Sequence, residues 1–182
     1  IGVGFVGGAI FKSFKEKHIH VVAYDKYKQD DPDLVGSLEE CLKTKLLFLC
    51  LPTQYSIEKA DYDLVPIQET MSLLNEKNYK GLIIIKSTVT PQTTTSFNEL
   101  YPELNICHNP EFLKANNAFN DFHNQDHIVI GSSKKCEGID LLYIFYNQYY
   151  SQASISKCSS DESESVKLFI NSFYASKIQL FN

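Results

Sequence analysis

The apolar residues of the chain follow two different spacings. Short runs rich in β-branched and aromatic residues, bounded by turn-forming residues, predict β-strands at 20–24, 46–51, 82–86, 105–108, 127–131 and 153–158. Between them, apolar residues that recur every three or four positions predict amphipathic helices at 9–17, 38–43, 64–75, 93–100, 112–119 and 139–149. Because strands and helices alternate, we expect an α/β fold with an open, mostly parallel sheet and helices on both of its faces.

The last part of the chain has a pattern of its own. Residues 159–164 are polar and predict a linker that runs into a helix N-cap and an acidic first turn. From Val166 to Phe181 apolar residues again recur at helical spacing, and they continue to where the sequence stops. The chain opens at Ile1 and not at a methionine. We therefore expect the natural protein to extend beyond both ends.

Composition and charge narrow the classes of function. The 182 residues suffice for one well-buried domain and the start of a second. With 17 Lys and Arg against 22 Asp and Glu, the net charge is −5 and no basic stripe stands out, so we expect no binding to nucleic acid or to a membrane surface. The five cysteines are scattered and the five histidines have no metal-like spacing. This predicts free thiols in a reducing compartment, the cytoplasm, and no metal site.

Glycine is scarce but concentrated. Four of the 8 glycines lie in the first eight residues, where Gly2-Val3-Gly4-Phe5-Val6-Gly7 fits the pattern G-x-G-x-x-G. In such a turn the backbone approaches a pyrophosphate closely, and the helix that follows presents its N-terminus to the phosphate charge. Asp25 lies 18 residues after Gly7, at the end of a predicted strand. Its carboxylate can bind ribose hydroxyls and repel a 2′-phosphate, which predicts NAD and not NADP. The alternative is a structural glycine turn with a surface aspartate.

Polar and hydroxyl-bearing residues follow two more of the predicted strands. Leu51-Pro52-Thr53 stands at the end of one, and Lys86-Ser87-Thr88-Val89-Thr90-Pro91 stands at the end of the other. Ligands of open α/β sheets bind at the carboxyl ends of the strands, so these residues are candidates for the wall of a cofactor cleft. Ser, Thr and Pro also supply ordinary turn and cap chemistry, and both interpretations stay open at this point.

Two further segments make the pattern specific. His108-Asn109-Pro110-Glu111-Phe112-Leu113 begins at the last residue of a predicted strand, and Glu164-Ser165-Val166-Lys167-Leu168-Phe169-Ile170-Asn171 lies at the start of the last helix. With the glycine turn and the two strand ends, they resemble the UDP-glucose/GDP-mannose 6-dehydrogenase family over essentially the whole chain. The sequence Asn-Pro-Glu-Phe-Leu is similar to the UDP-glucose and GDP-mannose branches of that family.

The resemblance implies a domain order, a cofactor and a reaction. Residues 1–158 would form a Rossmann-like NAD-binding domain. Residues 159–182 would start a central connecting helix through which two subunits pair as a homodimer. The reaction would oxidise the C6 alcohol of a nucleotide sugar, with UDP-glucose favoured, to a carboxylate while two NAD⁺ are reduced.

The resemblance also implies roles for individual residues. Glu111 would be the general base that helps water hydrolyse a thioester, and Thr88 would hold that water near the cofactor. Lys167 would stabilise oxyanion character at C6 and take part in proton transfer, and Asn171 would hydrogen-bond the reacting oxygen or water. The substrate contacts would be Glu111, Phe112, Leu113, Lys167 and Asn171.

The chain departs from the family pattern in three respects. The family nucleophile is a cysteine in a glycine-rich segment beyond the central helix, and none of the five cysteines here has that setting. Ala115 stands where the family usually has an acidic residue near the cofactor, and the segment after Asp25 is shorter than usual. Two alternatives therefore stay open: GDP-mannose as the substrate, and a non-catalytic dinucleotide-binding or dimerisation module.

Overall fold

The computed structural model describes residues 1–28, 31, 34, 36–58, 60–133 and 136–182. The helices are α1 (Phe5–Glu16), α2 (Leu38–Cys41), α3 (Val65–Glu76), α4 (Thr93–Leu100), α5 (Ala118–His123), α6 (Ile139–Tyr149) and α7 (Ser160–Phe181). The strands are β1 (Leu46–Leu49), β2 (Tyr55–Ser56), β3 (Asp61–Tyr62), β4 (Leu82–Ile85), β5 (Asn105–His108), β6 (His127–Gly131) and β7 (Ser154–Cys158). The elements predicted at 93–100, 105–108, 127–131 and 139–149 have the predicted bounds.

Five strands form one sheet in the order β1-β4-β5-β6-β7, and β2 and β3 form a separate short hairpin. Neighbouring strands of the large sheet are parallel, except that β5 and β6 are antiparallel and pair through His108 and Gly131. The predicted mostly parallel sheet is therefore confirmed.

The core lies on both faces of this sheet. Leu82 and Ile84 of β4 pack with residues of α1, α5 and α6 on one face. Ile83 and Ile85 pack with residues of α3 and α4 on the other face. A strand covered on both faces has no solvent-facing positions, which explains why β4 is a continuous apolar run. The prediction of helices on both faces is confirmed.

The prediction of a strand at 20–24 is wrong. Ile1 lies between this segment and β1: its N-terminal amine donates to Phe48 O at 2.7 Å, and its carbonyl accepts from Cys50 N at 2.9 Å. Gly2 N donates to Tyr24 O at 2.9 Å, so the segment is tied down at its end. An apolar cavity of about 650 Å³ separates its other residues from β1. A β-rich run becomes a strand only where a neighbouring backbone lies within hydrogen-bonding distance.

The prediction of a helix at 112–119 is also wrong, because the helix begins later in the chain. Residues 111–114 form an irregular segment, a 3-10 turn follows at Ala115–Asn117, and α5 begins at Ala118. Glu111 Oε2 accepts a hydrogen bond from Leu113 N at 2.6 Å, and Asp121 Oδ2 accepts one from Lys114 N at 2.8 Å. These side-chain acceptors satisfy backbone N–H groups without a helix.

Helix α7 begins with a capping box. The Ser159 side chain accepts from Glu162 N, and the Glu162 carboxylate accepts from Ser159 N, which confirms the predicted N-cap and acidic first turn. The prediction of a linker at 159–164 is wrong, because α7 already begins at Ser160. Within this stretch, Ser163 and Glu164 are buried. Residues 171–182 are all exposed. Across the described ranges, no helix combines the length and the apolar character that crossing a membrane requires.

Candidate active site

The glycine turn joins the edge of the sheet to α1. Gly2 has a φ of +85°, a left-handed conformation that favours glycine. A Cβ at Gly7 would collide with the carbonyl oxygen of Gly2, so the turn and the helix can approach this closely only with glycine there. Gly4 is the N-cap residue of α1, and a Cβ there would meet nothing within 4 Å. The first turn of α1 therefore presents its N–H groups beside open space.

Asp25 fixes the turn from the neighbouring segment. Its Oδ2 accepts from Val3 N at 2.7 Å, and its Oδ1 accepts from Tyr27 N at 2.9 Å. Lys28 Nζ donates to Val3 O at 2.7 Å. The carboxylate that we expected to bind ribose thus also organises the backbone of the site.

A cavity of about 900 Å³ opens beside the glycine turn. Its wall brings together most of the residues that were predicted to bind the cofactor, together with one predicted catalytic carboxylate: Gly2, Gly4, Phe5, Val6, Asp25, Leu51, Pro52, Thr53, Ser87, Thr88 and Glu111. Val3 and Gly7 instead line the apolar cavity on the other side of the turn.

The ends of β1 and β4 are joined by side-chain hydrogen bonds at this wall. Thr53 Oγ1 donates to Thr88 O at 2.6 Å, and Ser87 Oγ donates to Leu51 O at 2.7 Å. The hydroxyls of Thr53 and Ser87 therefore hold the two loops together, which is the structural role that the sequence left open for them. In the described structure no hydrogen bond is made by the Thr88 hydroxyl, which lines the cavity.

Glu111 and Lys167 form an ion pair at the end of this wall. Lys167 Nζ lies 2.9 Å from Glu111 Oε1 and also donates to Glu111 O at 2.5 Å. The two side chains are 14% and 6% exposed, so the pair is shielded from water and is stronger than a surface pair. The ring of Phe112 lies 5.5 Å from Lys167 Nζ. The predicted catalytic Glu and Lys thus meet, although they are 56 residues apart in the sequence.

Asn171 does not join this pair. It follows Lys167 by one helical turn, but it is exposed, whereas Lys167 is buried. The i, i+4 spacing places both residues on one side of α7, yet the domain covers only the first turns of that helix.

Sequence reasoning missed a buried polar cluster beneath Glu111. Lys86 Nζ donates to Asn109 Oδ1 at 2.9 Å and to Pro110 O at 3.2 Å, and Tyr146 Oη donates to Asn109 Oδ1 at 2.5 Å. Burial lowers the pKa of Lys86 from 10.5 to about 8. The available signal was a lysine directly after a strand that is apolar on both faces, because such an ammonium needs acceptors inside the protein whenever it does not reach solvent.

Cys50 is the cysteine on the cavity wall. Burial raises the pKa of its thiol above the ordinary 9.0, which disfavours the nucleophilic thiolate. Its position next to the site therefore does not make it a nucleophile.

The model of the UDP-glucose/GDP-mannose dehydrogenase family, NAD binding domain, matches residues 33–150. The chain belongs to that family. NAD as the cofactor and the Rossmann-like fold class are thereby confirmed. The matched region carries Thr88 and Glu111, while the glycine turn lies before it and Lys167 after it.

Similar proteins extend the comparison to the whole chain. The UDP-glucose 6-dehydrogenase AglM of Haloferax volcanii is 29% identical over an alignment that covers 100% of this chain and 52% of that protein. The UDP-glucose 6-dehydrogenase of Campylobacter jejuni is 32% identical over 74% of this chain and 34% of that protein. The chain thus spans about half or less of the length of these relatives.

Solved structures have the same fold. A UDP-glucose dehydrogenase from the archaeon Pyrobaculum islandicum superposes with a TM-score of 0.78 at 23% identity, over 94% of this chain and 48% of that one. A GDP-mannose dehydrogenase from Pseudomonas aeruginosa gives 0.77 at 22% identity, over 98% and 50%.

Proposed function

We propose that the chain is the cofactor-binding part of an NAD-dependent nucleotide-sugar 6-dehydrogenase that converts UDP-glucose to UDP-glucuronate. The observation that carries this proposal is the shielded Lys167–Glu111 pair beside the cavity of the glycine turn. The names of the curated relatives support UDP-glucose as the substrate. GDP-mannose is the alternative within the same chemistry, and one structural neighbour carries that name.

The residues around the glycine turn fit NAD. The open space at Gly4 leaves room for a pyrophosphate against the N-terminus of α1, where backbone N–H groups and the helix dipole favour negative charge. Asp25 lies on the same wall, where an acidic side chain favours ribose hydroxyls over a 2′-phosphate. NAD, when bound, supplies the acceptor for the hydride that leaves C6 of the sugar.

Lys167 supplies a fixed cation for the oxygen at C6. An alcohol that loses a proton and a hydride develops negative charge on its oxygen, and a preorganised ammonium in a shielded site stabilises that charge. Because Lys167 is only 5% exposed and held by Glu111, its position requires little reorganisation during the reaction.

Glu111 acts as the general base toward water. Each carboxylate oxygen can accept two hydrogen bonds, and Oε1 and Oε2 each receive one, from Lys167 and Leu113. Lone pairs therefore remain to accept a proton from water. The hydroxyl of Thr88, on the same wall, positions that water.

In our proposal, the thiolate that forms the thioester belongs to a part of the protein outside this chain. The raised pKa of Cys50 supports this assignment, since a thiol that stays protonated is a poor nucleophile. If no such thiolate exists, the second candidate is a non-catalytic dinucleotide-binding module. Ala115, exposed in the 3-10 turn with no polar side chain to offer a cofactor, favours that candidate.

The same proposal includes a homodimer that forms through α7, in the cytoplasm. Large apolar side chains stand exposed along one side of this helix: Val166, Phe169, Phe173 and Leu180. Such a stripe favours pairing with a second helix. The five free thiols agree with a reducing compartment.

Two measurements test the proposed function. The purified chain should bind NAD in a calorimetric titration and turn over neither sugar nucleotide. The complete protein that contains the chain should form two NADH per UDP-glucose consumed, measured by absorbance, with GDP-mannose run in parallel. A yield of one NADH, or of none with either sugar nucleotide, would contradict the proposal.

A further inference from the structure

Lys86 is a cation inside the protein. It follows β4 directly, is 2% exposed, and its ammonium lies 5.8 Å from the ring of Phe122. A buried ammonium is costly unless its N–H groups are bonded, so the acceptors that it uses are under constraint as well.

Both acceptors lie in the two residues that precede Glu111. Lys86 Nζ donates to Asn109 Oδ1 at 2.9 Å and to Pro110 O at 3.2 Å. Asn109 is in turn held to β6, because its Nδ2 donates to Val129 O at 2.6 Å. The irregular segment after β5 is therefore anchored from beneath by one ammonium.

The next carbonyl, that of Glu111, accepts from a second ammonium. Lys167 Nζ, on α7, donates to Glu111 O at 2.5 Å and to Glu111 Oε1 at 2.9 Å. The carbonyls of Pro110 and Glu111 thus receive bonds from lysines of two different elements. Because Glu111 follows Pro110 directly, a shift of Asn109 and Pro110 would displace the Glu111 backbone relative to Lys167.

We propose that Lys86 is a positioning residue of the site: its buried ammonium holds Asn109 and Pro110, and thereby places the Glu111 carboxylate against Lys167. The use of Glu111 as a base rests on the proposed function, but the positioning itself does not. Lys86 acts on Glu111 only through the two residues between them.

Hydrogen exchange separates positioning from a general contribution to stability. The amide of Leu113 reports the Glu111 side chain, since it donates to Glu111 Oε2, and the amide of Ile84 reports the core of the sheet. If a residue only stabilises the fold, its replacement accelerates exchange of the core amides and of Leu113 alike, through global unfolding. If it positions Glu111, its replacement accelerates exchange of the Leu113 amide by more than that of the core amides.

Two variants change the buried lysine: Lys86→Met keeps the length of the side chain, and Lys86→Arg keeps the hydrogen-bond donors. The matched control is Lys80→Met, which makes the first change at an exposed lysine. In Lys86→Met we expect exchange of Leu113 to rise at least about ten-fold more than exchange of Ile84, from the loss of a buried charged hydrogen bond. Lys86→Arg should recover most of this change, and Lys80→Met should leave both amides as they are.

An equal change at Leu113 and Ile84 in Lys86→Met, or no change at Leu113, would overturn the assignment. If that variant does not fold, Lys86→Gln, which keeps a donor, takes its place with the same criterion. No ligand enters these measurements. A chain that fails to bind NAD would therefore refute the proposed function and leave the result on Lys86 standing.

Discussion

Glu164 caps the N-terminus of α4 through Thr94. Glu164 Oε1 accepts from Thr94 N at 2.8 Å and from Thr94 Oγ1 at 2.5 Å, and the carboxylate is buried. Lys167 follows Glu164 after three residues, on the same buried side of α7. This contact therefore holds the part of α7 that carries Lys167 against α4.

Replacing Glu164 with Gln should flatten the pH dependence of stability above pH 4.5. Burial raises the pKa of Glu164 above its ordinary value of 4.5. The folded chain then holds a proton that the unfolded chain has released, so this stabilisation is present below pH 4.5 and is lost as the pH rises through the folded-state pKa. Urea unfolding of wild type and Glu164→Gln at several pH values measures the difference.

Glu162→Gln is the matched control, because Glu162 should change the pH dependence of stability in the opposite direction. Hydrogen bonds from Ser159 lower the pKa of Glu162, so its contribution is present above its ordinary value and is lost as the pH falls. Equal pH slopes for wild type and Glu164→Gln would show that the buried carboxylate does not control this dependence.

Two alanine substitutions in the glycine turn and one just after it should separate folding from cofactor binding. Gly7→Ala places a methyl group against Gly2 O and should lower the unfolding free energy by about 1–3 kcal/mol. Gly4→Ala meets nothing within 4 Å, so it should keep the stability and weaken NAD binding about ten-fold or more, where the pyrophosphate approaches. Gly8→Ala, whose Cβ would lie 4.0 Å from Val3 Cγ1, is the control.

Urea unfolding and calorimetric NAD titration of these variants give the two readouts. Gly8 lies inside α1, where alanine is favoured over glycine by about 1 kcal/mol, so this variant should be as stable as wild type or more stable. Undiminished NAD affinity in Gly4→Ala would exclude a pyrophosphate at this position.

Asp25→Asn should reduce the preference for NAD over NADP. The amide keeps one oxygen acceptor for the backbone of the turn, but it removes the negative charge that repels a 2′-phosphate. We expect the ratio of the NADP and NAD dissociation constants to fall by about ten-fold or more, because the repulsion between the two like charges is lost. Glu39→Gln, an exposed acid away from the cavity wall, is the control. A wild-type chain that binds both cofactors equally would refute this role of Asp25.

Phe173→Asp should abolish self-association of the chain. Phe173 is 55% exposed on α7, within the apolar stripe, and a carboxylate there would be buried without a partner in a helix pair. Ser172→Asp is the control, because it adds the same charge next to the apolar stripe, on a polar side of the helix. Sedimentation velocity over a range of concentrations measures the effect. If wild type stays monomeric throughout, the proposed dimer is refuted.

The sequence predicted the layers of the fold because β1 and β4 are short apolar runs, and such runs need cover on both faces. It failed at 20–24, where β-branched residues lie next to a cavity and Ile1 takes the place of a paired strand. Pairing depends on a neighbour that local composition does not reveal.

The candidate site was predictable as far as its residues lie in motifs. Glu111 and Lys167 were named from the sequence, and the fold brings them together. No role in the site was predicted for Lys86, because a lysine at the end of a strand usually reaches solvent. The structure shows that its ammonium stays inside, 5.8 Å from the ring of Phe122 and bonded to Asn109 and Pro110.

Helix α7 divides into a part that the domain supports and a part that it does not. Up to Lys167 its buried side chains contact the sheet and α4, whereas residues 171–182 are exposed on all sides. An isolated helical segment of about 12 residues is marginal in water, so these turns gain their stability from whatever covers their apolar stripe. Coil-to-helix ordering of this segment and assembly are then one linked equilibrium, and the helix content of the protein should rise as its concentration is increased.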